Sequence, residues 1–248
     1  MTVRKGCEDM KLICYLSNGY PSLKDTRRLA DVYLEAGADM VEIDIPCDHP
    51  FLEGPFIADR MQKALAVTSD YEDYLDSLAL IREKHPDGAF LLLVYERTVK
   101  KIGPEKFITF CRKNRFFDIV LAGAKDERLK AGFIERGLRI STFVRFHLPE
   151  EDLAAIPSVN GFVYLQAKPK EEVPLPFATI AEIIGHLRDT HNVELPIYAG
   201  SGVRDEDDIR CVKEAGADAV FVGYTVLKLF DDENTLKERI RSLKQATL

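Results

Sequence analysis

The chain has 248 residues, 46% of them hydrophobic, enough to bury one full core and close to the size at which eight strand–helix units close into a barrel. A formal net charge of −7 opposes a polyanion, which excludes nucleic acid as a general partner, and five cysteines without a C-x-x-C pair (Cys7, Cys14, Cys47, Cys111, Cys211) exclude a disulfide framework and a structural zinc site. No apolar stretch has the length of a signal or a membrane span, so a cytoplasmic protein with no membrane contact is expected, its mature chain beginning at residue 1.

Short apolar runs at 12–16, 40–45, 90–94, 118–122, 139–143, 161–165, 196–199 and 219–222 each predict a buried parallel strand, because a strand covered on both faces needs continuous rather than alternating apolarity. Helical patterns fill the gaps, among them 23–36, 74–84, 104–113, 177–190, 206–215 and 234–244. Strand then helix, eight times over, predicts an α/β fold of the (β/α)8 TIM-barrel type, with residues 1–248 as a single domain. An internal echo, Glu35-Ala-Gly-Ala-Asp39 and Glu214-Ala-Gly-Ala-Asp218, ends a helix on a glycine and drops into a strand each time; it reads as a packing device rather than chemistry.

In such a fold catalytic groups close the C-terminal ends of strands. The second run, Met40-Val-Glu-Ile-Asp-Ile-Pro46, sets Glu42 and Asp44 on one side by the two-residue period, and a charge inside a barrel is either paired or functional. Burial would raise the Glu42 pKa and suit it to proton transfer; a structural ion pair is the alternative. The next loop, 46–55, carries His49 and Glu53 among prolines and glycines, and can fold back over the mouth. Tyr95 and Arg97 follow the third run, Arg145 and His147 the fifth, and Tyr164 lies in the sixth; each faces the cavity or solvates the rim. His85, His186 and His191 sit on or beside helices as surface residues.

The last two strands end in Ala199-Gly-Ser-Gly-Val203 and Val222-Gly-Tyr-Thr225. Gly200, Ser201, Gly202, Gly223 and Tyr224 there form either an anion seat of backbone N–H groups, suited to a phosphorylated small molecule, or plain tight turns. No cluster has metal-ligand spacing, no cofactor is expected, and the sequence has neither a phosphate-binding P-loop nor a serine nucleophile elbow.

Tyr15-Leu-Ser-Asn-Gly-Tyr-Pro-Ser22, Ala36-Gly-Ala-Asp-Met-Val-Glu42, Ile45-Pro46, Pro50 with Glu53-Gly-Pro55, and Ala199-Gly-Ser-Gly-Val203 resemble the tryptophan synthase alpha subunit family, in order and at matching spacing. The likeness runs over nearly the whole chain and is densest at 15–66 and 196–230. It implies a lyase that splits indole-3-glycerol phosphate into indole and glyceraldehyde 3-phosphate, docked on a beta subunit that consumes the indole. By the same resemblance Glu42 matches the catalytic glutamate, Glu53 the aspartate that holds the indole nitrogen, Tyr95 and Tyr164 cavity tyrosines, and Gly202 and Gly223 glycines of the phosphate cradle.

The departures from the family are specific. Glu53 adds a methylene to an aspartate, and a displacement of about 1 Å can cost on the order of a hundredfold in rate. His49 replaces an aspartate, Asp44 a glycine and Tyr224 a serine. The fourth strand runs on as Leu121-Ala-Gly-Ala-Lys125 without the family's D-L-P, the N-terminus leaves no room for a leading helix, and segment 168–176 replaces the glycine-rich mobile loop. Lys168 and Lys170 of that segment are candidate substitutes for the lost phosphate amides. Two other readings stand beside the lyase: a repurposed or inactive barrel that binds a different phosphorylated metabolite or a partner subunit, and an enzyme that isomerises or condenses another sugar phosphate.

Overall fold

The computed structural model describes residues 9–170 and 173–248. Cys7 and the Glu171-Glu172 pair of segment 168–176 lie outside the described residues, as does the N-terminal stretch on which the reading of the chain's start rests. Eight parallel strands, β1 (Lys11–Leu16), β2 (Met40–Asp44), β3 (Phe90–Tyr95), β4 (Asp118–Ala122), β5 (Arg139–Val144), β6 (Val163–Gln166), β7 (Ile197–Gly200) and β8 (Ala219–Val222), pair in sequence order and close on themselves, β8 against β1. The expected (β/α)8 barrel is the observed one.

Alternation along each strand sorts the core into two shells. Ile13, Tyr15, Leu91, Leu93, Phe162 and Phe221 fill the barrel, while Leu12, Cys14, Val41, Ile43, Leu92 and Val94 pack outward under the helices. Helix starts obey capping chemistry. Ser22 accepts from the Asp25 N–H to open Leu23–Glu35. A reciprocal box between Thr179 and Glu182 opens Ile180–Asp189, which is why that helix begins three residues later than the apolar pattern alone suggests. Helices Pro55–Val67, Glu96–Ile102, Glu127–Glu135 and Glu150–Ala155 occupy further strand-to-strand connections, and a single turn, Tyr224–Leu227, follows β8.

The internal echo is structural. Gly37 and Gly216 take φ of 103° and 85°, and the aspartate two residues on turns back to the preceding strand. Asp39 accepts the Leu12 N–H at 2.7 Å and Asp218 the Ile197 N–H at 2.7 Å; Lys244 and Arg188 neutralise them at 2.8 and 3.0 Å. The seam between β7 and β8 is short, in register only at Tyr198 with Ala219 and Ala199 with Val220, and Asp218 buttresses its lower end. Among the described residues no helix is long and apolar enough to cross a membrane, no group of three or more His, Cys, Asp or Glu is placed to hold a metal ion, and the four cysteines are free thiols.

Candidate active site

Register fixes where β2 sends its acids. Glu42 stands level with Tyr15 of β1 and Leu91 of β3, and Asp44 with Leu93, all members of the inner shell. Both carboxyls therefore point into the barrel near its C-terminal end, 2% and 0% exposed. Asp44 accepts from the Tyr15 hydroxyl at 2.6 Å and from the Asn18 N–H at 2.7 Å. Burial pushes its pKa up to about 7, against the pull of those two donors and of Arg60. Glu42 is held well above the usual carboxylate range, first by burial, then by the charges of Glu53 and Asp44. Among the described residues no basic side chain pairs with Glu42, so the structural ion pair finds no support.

Loop 46–55 folds back over the mouth, as its composition allows. The Phe51 ring lies where a side chain on Gly123 would stand, 2.7 Å from that position, and meets Tyr95 edge-on at 5.6 Å. The Leu52 N–H donates to the Tyr95 hydroxyl at 3.2 Å. Glu53 is partly buried, and its pKa is pushed up to about 7 by burial and by Asp44, while Lys170 and the Tyr95 hydroxyl pull the other way. Its charge also bears on Glu42, Tyr15 and Tyr164. Beside the mouth, Phe51, Tyr95, Arg97, Lys101 and Gly123 border a cleft of about 430 Å³.

Gly223 follows β8, and a Cβ there would come 3.6 Å from the Tyr15 Cβ, so Tyr15 stands between Gly223 and the acids of β2. Ser201 and Gly202 take φ of 60° and 124°, which turns the chain sharply after β7. The Thr225 hydroxyl donates to the Arg204 carbonyl at 2.8 Å and ties the two loops together. Gly200 serves packing: a Cβ there would lie 2.6 Å from the Phe221 Cβ and 3.0 Å from the Tyr164 hydroxyl. The Tyr164 ring stacks on Phe221 at 4.2 Å. Tyr224 turns its half-exposed ring onto Phe56 at 4.9 Å.

Several rim residues take other roles than a cavity clamp. Arg97 forks onto Asp48 at 2.8 and 2.9 Å, and Arg145 is held by Asp152 and Glu151. Lys168 pairs with Asp208, and its stem lies over Gly202, 2.9 Å from where a Cβ would stand; this lysine is engaged rather than reaching for a ligand. His85 is half-buried and bonds Asp31 at 2.6 Å, which corrects its reading as a plain surface residue. Phe143 went unnoticed in the sequence. It is level with Tyr164, meets it edge-on at 5.4 Å and is 41% exposed at the mouth. Its two-residue step from the inward Ser141 was the available signal. Arg60 was also missed: it is buried among the rings of Tyr20, Phe56 and Phe230 at 4.3–5.0 Å and donates to the Leu227 carbonyl.

Residues 3–247 match the family model of the tryptophan synthase alpha chain. The chain belongs to this family. Curated tryptophan synthase alpha chains similar to it include one from Escherichia coli O157:H7, 27% identical over 241 residues that span 93% of this chain and 88% of the relative. Another, from Citrobacter koseri, is 27% identical over 251 residues, 94% and 91% of the two chains. Among solved structures, tryptophan synthase from M. tuberculosis superposes with a TM-score of 0.82 at 22% identity, covering 97% of this chain and 94% of that one. A mutant tryptophan synthase alpha subunit from Pyrococcus furiosus superposes with 0.80 at 21%, covering 95% and 98%. These likenesses show the barrel.

Proposed function

We propose that the protein is a carbon–carbon lyase of the cytoplasm that cleaves indole-3-glycerol phosphate by a retro-aldol reaction. The observation that carries the reading is the inward, buried Glu42, level with Tyr15, which in turn borders the Gly223 turn. A proton is delivered to the indole carbon that bears the side chain, and the hydroxyl on the adjoining carbon gives one up. The bond between those carbons breaks, its electron pair stays with the ring, and the hydroxyl carbon becomes the aldehyde of glyceraldehyde 3-phosphate. Glu42, protonated at rest, gives the first proton, and the carboxylate it becomes takes the second. Glu53 accepts from the ring N–H, and the amides of 200–202 and 223–225 hold the phosphate. Tyr95, Tyr164 and Phe143 bound the aromatic part. A beta subunit that consumes indole is the proposed partner, with the exposed Phe51, Leu52 and Tyr224 around the mouth as surface for it.

Indole release from indole-3-glycerol phosphate by the purified protein, alone and with a beta subunit, tests the reading. The second reading, a barrel that binds a phosphorylated metabolite without cleaving it, is favoured by one feature of the sequence: segment 168–176 stands where the family has its glycine-rich mobile loop. Protein that binds glycerol phosphate compounds and never releases indole would decide for it.

A further inference from the structure

Asp44 is a buried acid for which the proposed reaction has no use. It stands two residues from Glu42 on the same inward face, a spacing of roughly 6–7 Å along the strand. Two negative charges that close in a low-dielectric interior are strongly unfavourable, so the chamber settles its charge on the carboxyl with the better donors. The geometry is unequal. The Asn18 N–H can only donate, and it fills one Asp44 oxygen at 2.7 Å; the Tyr15 hydroxyl fills the other at 2.6 Å. Arg60, from the helix Pro55–Val67, adds positive charge on the Asp44 side.

The groups around Glu42 offer it no such support. From β1 it meets Tyr15, whose hydroxyl is committed to Asp44; from β2, Asp44 itself; from β3, the apolar Leu91. Loop 46–55 brings Glu53, whose own counter-charge is Lys170, and β6 brings Tyr164.

We propose that Asp44 is a positioning residue: by keeping the resting negative charge of the chamber against the Tyr15 hydroxyl and the Asn18 amide, it holds the Glu42 carboxyl in its protonated, proton-donating form. The proposal rests on the reading of Glu42 as the proton-transfer group, and it sets the order of that group's work, acid first and base second. Removing the Asp44 charge, or the donor that stabilises it, makes Glu42 easier to ionise.

The experiment is a titration of the Glu42 side-chain carboxyl by 13C NMR on the full chain, its signal assigned by Glu42→Gln, in wild type, Asp44→Asn and Tyr15→Phe. The wild-type midpoint is expected well above the ordinary carboxylate value, lower by about one pH unit or more in Asp44→Asn, and lower also in Tyr15→Phe, where charge passes from Asp44 to Glu42. A purely structural Asp44 would leave the midpoint in place. An ordinary wild-type midpoint overturns the proposal with no variant needed, and so does an unmoved or higher midpoint in either folded variant. The titration uses no substrate, so a protein that never releases indole loses the lyase reading while this result still stands or falls by itself.

Discussion

The Arg60 guanidinium donates to the Leu227 carbonyl at 2.6 Å, bolting the helix that follows Glu53 to the single turn that follows Gly223. Methionine at 60 keeps much of the stem but leaves that buried carbonyl unmet and removes the cation from its cage of rings. Arg60→Met is expected to lose about 2 kcal/mol of stability, lowering Tm by roughly 4–8 °C for a chain of this size. Calorimetry reads the shift, and an unchanged melting point would deny the bolt its role.

Glu42→Gln keeps size and shape while removing the transferable proton. Indole release is expected to fall at least about a hundredfold, within the range for a general acid–base group, with an unchanged circular dichroism spectrum. Full activity in this variant removes Glu42 from the reaction.

Glu53 gives a signed pH dependence. Its carboxyl is raised from 4.5 to about 7 in the folded chain, so the native state binds that proton more tightly than the unfolded one. The contribution favours folding at acid pH and is lost as pH climbs from near 4.5 through about 7. Glu53→Gln should therefore gain stability over wild type at pH 8 relative to pH 5, by roughly 1–2 kcal/mol after allowance for its partial exposure. Thermal melts of both proteins at the two pH values check this; an equal offset at both contradicts it.

Phe143→Ala removes an aromatic wall at the mouth, where the ring is already 41% exposed and little needed for folding. The expected result is a rise in KM for indole-3-glycerol phosphate of roughly tenfold, with kcat within about threefold of wild type. A fall in kcat with KM unmoved would place the ring elsewhere in the cycle.

Gly202→Ala asks an L residue to sit at φ of 124° with its Cβ 2.9 Å from that of Lys168. About 1–3 kcal/mol of strain is expected, together with weaker retention of inorganic phosphate. Calorimetric titration with phosphate on the folded variant reads the second effect, and undiminished binding would move the anion away from this turn.

The barrel was legible because a parallel strand covered on both faces favours continuous over alternating apolarity, and eight short runs, most of their residues apolar, follow that pattern. Glu42 was legible for the complementary reason, as a charge in such a run. The partners of Asp44 were not: Tyr15 and Asn18 lie 29 and 26 residues earlier and reach it only through the pairing of β1 with β2. Arg60 sits in an amphipathic helix where an arginine reads as solvated, until the fold packs three rings around it. The fates of Arg97, Arg145 and Lys168 depend on Asp48, Asp152 and Asp208, acids whose approach is decided by loop and helix geometry rather than by spacing.

The abbreviated β7–β8 seam has a mechanical consequence. A closed ring leaves no free strand edge, so its first opening comes at the join held by the fewest rungs, and here that join carries the two glycine turns. A phosphate gripped by both turns would be a clasp across the gap, slowing amide exchange in β7 and β8 and raising the temperature at which the cylinder unrolls.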